Sequence, residues 1–126
     1  MALVPCHYAF QFQVDGEELN ALVNMRSSDL FLGLPWNLAF YALLTRLIAH
    51  LTKLRAGTLV FNLADAHIYT NHLEKVNTQL ARSPRPWPQL ELVGADNYTS
   101  IDEFHSENLR LVNYHPHPAL KADMAV

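Results

Sequence analysis

One cysteine occurs in the chain, in VPCHYAFQF, directly after Pro5 and directly before His7. A thiol in such a place has two fates. It packs as a small hydrophobe, as most free cysteines do, or it attacks an electrophile as the thiolate. The ordinary thiol titrates at about 8.5, so the second fate calls for a nearby cation. His7 is a poor general base for Cys6, because adjacent residues of a strand point to opposite faces. The cation has to come from elsewhere in the chain.

Three other stretches hold residue types suited to a ligand. RSSD, residues 26–29, sets a guanidinium, two hydroxyls and a carboxylate in a row, which makes an anion-binding turn or a solvated strand end. Asn37 stands in the first turn of an otherwise apolar helix. Its amide offers a donor and an acceptor, enough to read the N–C=O edge of a pyrimidine. It serves equally well as a cap or a satisfied buried amide. In DAHIY, His67 and Tyr69 are two apart, on one face of a strand. Their polar tips suit a sugar hydroxyl, or are ordinary boundary residues.

These side chains need elements to hold them. HYAFQFQV alternates, with Tyr8, Phe10, Phe12 and Val14 on one face, which predicts a strand with that face in a core. DGEE is a turn signal. ELNALVNMRSSDLFL predicts a second long strand that pairs back as a hairpin. GLPWNLAFYALLTRLIAHLTKLRAG is the clearest helix: Pro35 fits its first turn, and Arg55 and Gly57 mark its stop. It is apolar nearly all round, which predicts a central, buried helix. TLVFNLADAHIY reads as a buried strand. TNHLEKVNTQLAR reads as an amphipathic helix with Leu73, Val76 and Leu80 on one side. SPRPWPQ is an extended link, and LELV and NLRLVNY are two more strands around a polar loop. HPHPALKADMAV is an extended tail with little in its pattern to hold it.

Composition narrows the class. The 126 residues fit one domain, and half of them are apolar. Twelve acidic against nine basic residues leave a net charge of -3, which argues against nucleic acid as a partner. A lone cysteine excludes an internal disulfide and suits a reducing, cytoplasmic setting. The seven histidines lack zinc spacing, so no metal is expected. MALVPCHYAF has no basic n-region, so no signal peptide is expected. The longest apolar run is interrupted by Gly33, Pro35, Asn37, Arg46 and His50 and reads as a buried helix, not a membrane span.

Taken in order, the motifs resemble thymidylate synthase from Met1 to Val126. PCH is similar to that family's nucleophile motif and RSSDLFLGLPWN to its phosphate- and pyrimidine-binding stretch. DAHIYTNH, SPRPWPQL and NYHPHPALKADMAV are similar to its ribose-binding, RxPRPxP and C-terminal segments. The resemblance implies an α/β (α+β) fold: a mixed twisted sheet with a long buried central helix, present here as its C-terminal portion. It implies conversion of dUMP to dTMP with 5,10-methylenetetrahydrofolate as one-carbon donor and reductant. Cys6 would add to C6 of the pyrimidine. His7 would belong to a water network there. Arg26 and Ser27 would hold the phosphate, with Arg26 also beside Cys6. Asn37 would read the uracil edge, and His67 and Tyr69 would bind the deoxyribose hydroxyl. Asp29 would hold the pterin, with Leu32, Gly33, Trp36 and Ala125 completing the folate site. The tail would close over both ligands.

The chain departs from the family pattern at Asn24 and Met25, where tyrosine and glutamine are usual, and at Trp36, Ala64 and His115. Family members are longer. Residues 1–126 correspond to their C-terminal catalytic half, and the complete enzyme is expected to be a homodimer. The alternatives are a dUMP hydroxymethylase, which quenches with water in place of hydride, and a non-catalytic fragment or partner subunit.

Overall fold

The computed structural model describes residues 4–124. Its main sheet has three strands in the order β1 (His7–Asp15), β2 (Glu18–Met25), β4 (Arg55–Leu63). β1 and β2 form the expected antiparallel hairpin, turned at Gly16 with φ 57°, a conformation that glycine adopts without a Cβ penalty. β2 and β4 run parallel. A parallel pair needs a crossover, and helix α1 (Gly33–Leu51) supplies it. Beyond the main sheet, β3 (Ser28–Asp29) pairs with β5 (Ala66–His67) in parallel, and β6 (Gln89–Leu92) pairs with β7 (Leu109–Val112) antiparallel. Helix α2 covers Leu73–Leu80 after a 3-10 turn at Thr70–His72.

The two long strands predicted through RSSD and DAHIY are therefore each broken. Arg26 turns its N–H to the Cys6 carbonyl, while Ser28 N–H bonds to the Asp65 carbonyl. Ser27 Oγ donates to the Asp65 carboxylate at 3.3 Å. Short polar side chains of this kind compete with the regular ladder, and one short strand remains beyond each break, β3 after β2 and β5 after β4.

Leu19, Ala21, Val23 and Met25 form the buried face of β2. Val23 and Met25 cluster with Tyr41 of α1, and Cys6, Leu44, Leu59, Phe61 and Leu63 pack around them. The expectation that one face of β1 lies in a core does not hold. Phe10 is 52 % and Val14 57 % exposed. One helix is about 10 Å across and strands are about 4.8 Å apart, so α1 covers β2 and β4 and leaves β1 open. Nor is α1 buried all round: Tyr41, Thr45, Leu47 and Ala49 are buried, but Trp36, Leu38 and Phe40 are exposed. Leu73 and Leu80 of α2 are exposed as well.

The helix also stops earlier than Arg55 and Gly57, which belong to β4. The stop is at Lys53, whose φ is 60°. Its N–H bonds to the His50 carbonyl, and Leu54 N–H to the Ala49 carbonyl, the paired bonds of a Schellman motif. Lysine occupies the left-handed position where glycine is usual. Replacing it, Lys53→Gly, is expected to raise the stability of the chain by about 1 kcal/mol, read as a higher urea midpoint. Gly57 serves closeness instead: a Cβ there would lie 2.5 Å from Asn20 Oδ1, which accepts the Thr58 N–H at 2.7 Å.

The tail is held, contrary to the expectation from its pattern. Arg85 Nη1 donates to the His115 and Pro116 carbonyls, and His117 Nε2 bonds to the Ser83 carbonyl at 2.9 Å. Near the other end, the Asp123 carbonyl bonds to His72. These partners are backbone carbonyls, which no hydropathy pattern reveals. Ala125 and Val126 lie outside the described residues. No helix among the described residues is long and apolar enough to cross a membrane.

Candidate active site

The parallel β2–β4 pair ends at Met25 and Leu63, and α1 starts at that same edge. In open parallel sheets, ligands bind at the carboxyl ends of the strands. Most of the sequence-predicted residues gather along this edge. Arg26 and Ser27 follow β2, Asp65 and His67 follow β4, and Asn37 is one turn into α1.

Cys6 enters β1 beside the end of β2, half-buried against the Val23–Met25–Tyr41 cluster. Arg26 wraps this entry. Its Nε donates to the Pro5 carbonyl at 3.1 Å, and its Nη2 bonds to the Val4 carbonyl. The same Nη2 lies 3.7 Å from Cys6 Sγ. A fixed positive charge thus stands against the sulfur, and part of the guanidinium fork is committed to the backbone of residues 4 and 5.

His7 bonds through Nδ1 to the Tyr41 hydroxyl at 3.1 Å and stacks on its ring. Burial raises the Tyr41 hydroxyl above the ordinary phenol range, so it stays a neutral partner at neutral pH. No hydrogen bond joins His7 to Cys6 among the described residues. A bulge between His7 and Ala9 interrupts the register with β2 and re-aims side chains locally.

Asn37 Nδ2 lies 3.8 Å from Met25 Sδ, a weak acceptor. Among the described residues its oxygen makes no hydrogen bond, and Met25 is the one partner of its amide nitrogen. Asp29 does a structural job that the sequence reading missed: its carboxylate accepts the N–H groups of Phe31 at 3.0 Å and Leu32 at 3.3 Å. A short acidic side chain just before a helix is the signal for such a turn. Leu32 and Gly33 are half-buried beside it. Trp36 is 79 % exposed and offers a bare aromatic face.

On the far side, the rings of His67 and Tyr69 meet edge to face at 4.9 Å, although Tyr69 lies beyond β5 and not on a strand. Asp65 joins this group to the rest. It accepts from Ser27, and its carboxylate is 3.6 Å from His67 Nδ1. Asp65 and Tyr41 are site neighbours that sequence reasoning did not single out; the spacing D-x-H was the available sign for Asp65.

A cleft of about 350 Å³ opens next to the site, lined by His7, Tyr8, Ala9, Phe10 and Tyr41. Cys6, Arg26 and Asn37 do not line it. No group of three or more metal-ligating side chains occurs among the described residues.

Comparison with known proteins gives a consistent answer. A family model described as thymidylate synthase matches residues 1–126. The thymidylate synthase of equine herpesvirus 2 (strain 86/87) is 48 % identical over all 126 residues, which cover 43 % of that protein. Those of varicella-zoster virus strains Dumas and Oka vaccine are 47 % identical over the whole chain, which covers 41 % of each. The chain thus spans less than half the length of these curated relatives.

Proposed function

The chain belongs to the thymidylate synthase family, and on that premise we propose that it carries the nucleophile and much of the nucleotide site of an enzyme converting dUMP to dTMP. The observation that carries this reading is the Arg26 guanidinium held 3.7 Å from Cys6 Sγ, at the strand edge where Asn37, Ser27 and His67 also gather. Cys6 adds as thiolate to C6 of dUMP, and the displaced π pair makes C5 nucleophilic. 5,10-Methylenetetrahydrofolate supplies the carbon that C5 takes and the hydride that completes the methyl group. C5 loses its proton, Cys6 departs from C6, and dihydrofolate and dTMP remain.

Arg26 and Ser27 hold the phosphate in this reading, and Arg26 stays beside Cys6. Asn37 pairs with the uracil edge, while His67 and Tyr69 receive the deoxyribose hydroxyl. Asp29, Leu32, Gly33 and Trp36 form the folate side, closed by the tail through Ala125 and Val126. The half-committed fork of Arg26 suits one phosphate contact more than two. The length not spanned here supplies further walls and donors, and the complete enzyme is a cytoplasmic homodimer with no metal. Without those donors, the developing charge is poorly stabilised, so the 126-residue chain alone turns over slowly or not at all.

The test is a chimera in which this chain replaces the matching 126 residues of the equine herpesvirus 2 relative. Incubation with dUMP and methylenetetrahydrofolate should yield dTMP and dihydrofolate in equal amounts. Recovery of 5-hydroxymethyl-dUMP with tetrahydrofolate overturns the methylation, and no product at all removes the catalytic reading.

Arg26→Ala in the chimera is expected to weaken dUMP binding by about 2–3 kcal/mol, the range for a lost charged hydrogen bond. Arg26→Lys should not restore it, because a point charge cannot also reach Val4 and Pro5 as the planar fork does. Calorimetric titration with dUMP measures both, and recovery in the lysine variant contradicts the role of the fork.

A further inference from the structure

His72 is fully buried, 0 % exposed, and none of the roles above uses it. Its Nε2 lies 2.8 Å from the Asp123 carbonyl. A carbonyl only accepts, so Nε2 carries the proton. Nδ1 is buried with no hydrogen-bond partner among the described residues. Among the described residues the bond to Asp123 is therefore the ring's one hydrogen bond, and its partner belongs to the C-terminal segment. Asn71 Nδ2 reaches the same carbonyl at 3.4 Å.

The ring sits between two pieces of the site. Phe31 lies 5.3 Å from it between centroids, and Tyr69 5.8 Å. Phe31 belongs to the turn that Asp29 closes, next to Leu32; Tyr69 touches His67. The segment that His72 holds is anchored at its root as well, by Arg85 on the His115 and Pro116 carbonyls. Residues 118–122 between these anchors make no hydrogen bond among the described residues. The tail is thus a strap fixed at two points, and the distal point is a buried histidine wedged between the Asp29 turn and the His67–Tyr69 pair.

We propose that His72 is a positioning residue that seats the C-terminal segment against the folate side of the site, through its Nε2–H bond to the Asp123 carbonyl. The docking itself stands on the geometry above. What it serves, closure over methylenetetrahydrofolate, rests on the function proposed in the preceding section.

Trypsin reads the docking directly. Lys121 is exposed and lies two residues before Asp123, so cleavage after it requires the strap to leave its seat. In the 126-residue chain, His72→Leu is expected to speed cleavage after Lys121 by about tenfold, the loss of one buried hydrogen bond. Cleavage after Lys53 and Lys75 should be unchanged. His72→Gln keeps an N–H donor at similar reach and should return the Lys121 rate close to that of the parent chain. The proposal is overturned by an unchanged Lys121 rate in His72→Leu, by a parallel rise at all three lysines, or by His72→Gln behaving as His72→Leu does.

In the chimera, His72→Leu should weaken methylenetetrahydrofolate binding to the dUMP complex about tenfold, leave dUMP binding unchanged, and recover with His72→Gln. Faster Lys121 cleavage with both ligand affinities intact keeps the latch and overturns the folate assignment.

Discussion

5-Fluoro-dUMP together with methylenetetrahydrofolate should leave a covalent adduct on Cys6 of the chimera, visible in the intact mass, and Cys6→Ser should abolish it. The fluorine at C5 cannot leave as a cation, so the reaction stops after both bonds to the pyrimidine have formed and before Cys6 can depart. The structure gives Cys6 what this chemistry uses. It is half-buried but not sealed, it lies at the strand edge where the predicted nucleotide contacts gather, and its sulfur has a guanidinium 3.7 Å away as partner to a thiolate. Serine in its place has no comparable route to an anion, because no hydrogen bond links His7 to position 6 and His7 is engaged with Tyr41. Turnover in Cys6→Ser should fall by on the order of 10⁴-fold or more, the scale seen when a covalent nucleophile is removed. dUMP binding and folding should survive, since the change is one atom at a half-exposed position. The 126-residue chain alone should trap slowly or not at all. An adduct on another residue, or none in the chimera, returns Cys6 to the role of packing atom.

A second large effect is expected at Asn37, where Asn37→Asp should move base preference from dUMP toward dCMP. Uracil presents an N3–H donor and an O4 acceptor on the edge that an amide can meet with one acceptor and one donor. Among the described residues only one amide N–H of Asn37 is directed at another group, Met25 Sδ at 3.8 Å. A carboxylate repels O4 and accepts from the exocyclic amine of cytosine instead. An unpaired or opposed polar group in such a place costs about 1–3 kcal/mol, so the dUMP to dCMP affinity ratio should fall by roughly tenfold to a hundredfold per opposed contact. Titration of both nucleotides into the chimera and its Asn37→Asp variant measures the ratio. Equal affinities before the substitution would rule out base reading by Asn37.

What could be read from the sequence was what short-range chemistry dictates. The β1–β2 hairpin follows from alternation and Gly16, and α1 from its periodicity and Pro35. The motif order leads to the family, and it is that resemblance, not local spacing, that implies Arg26 as the cation beside Cys6. Each rests on neighbours within a few residues or on words of sequence. Burial does not follow from the sequence pattern wherever it depends on what lies opposite. Phe10 and Val14 alternate as core residues do, yet α1 is too narrow to cover β1. Trp36 and Phe40 face away from the sheet, and α1 read as buried on all sides is covered on one. The breaks after Met25 and Leu63 come from the Ser27–Asp65 contact, 38 positions apart. The strap is set by Arg85, His117 and His72 meeting carbonyls from 30 to 51 positions away. A backbone carbonyl has the same chemistry at every residue and so leaves no mark in the sequence. The residue types by themselves determined which chemistry was available; only the tertiary structure decided which groups meet, because hydrogen bonding and burial are settled by distance in space.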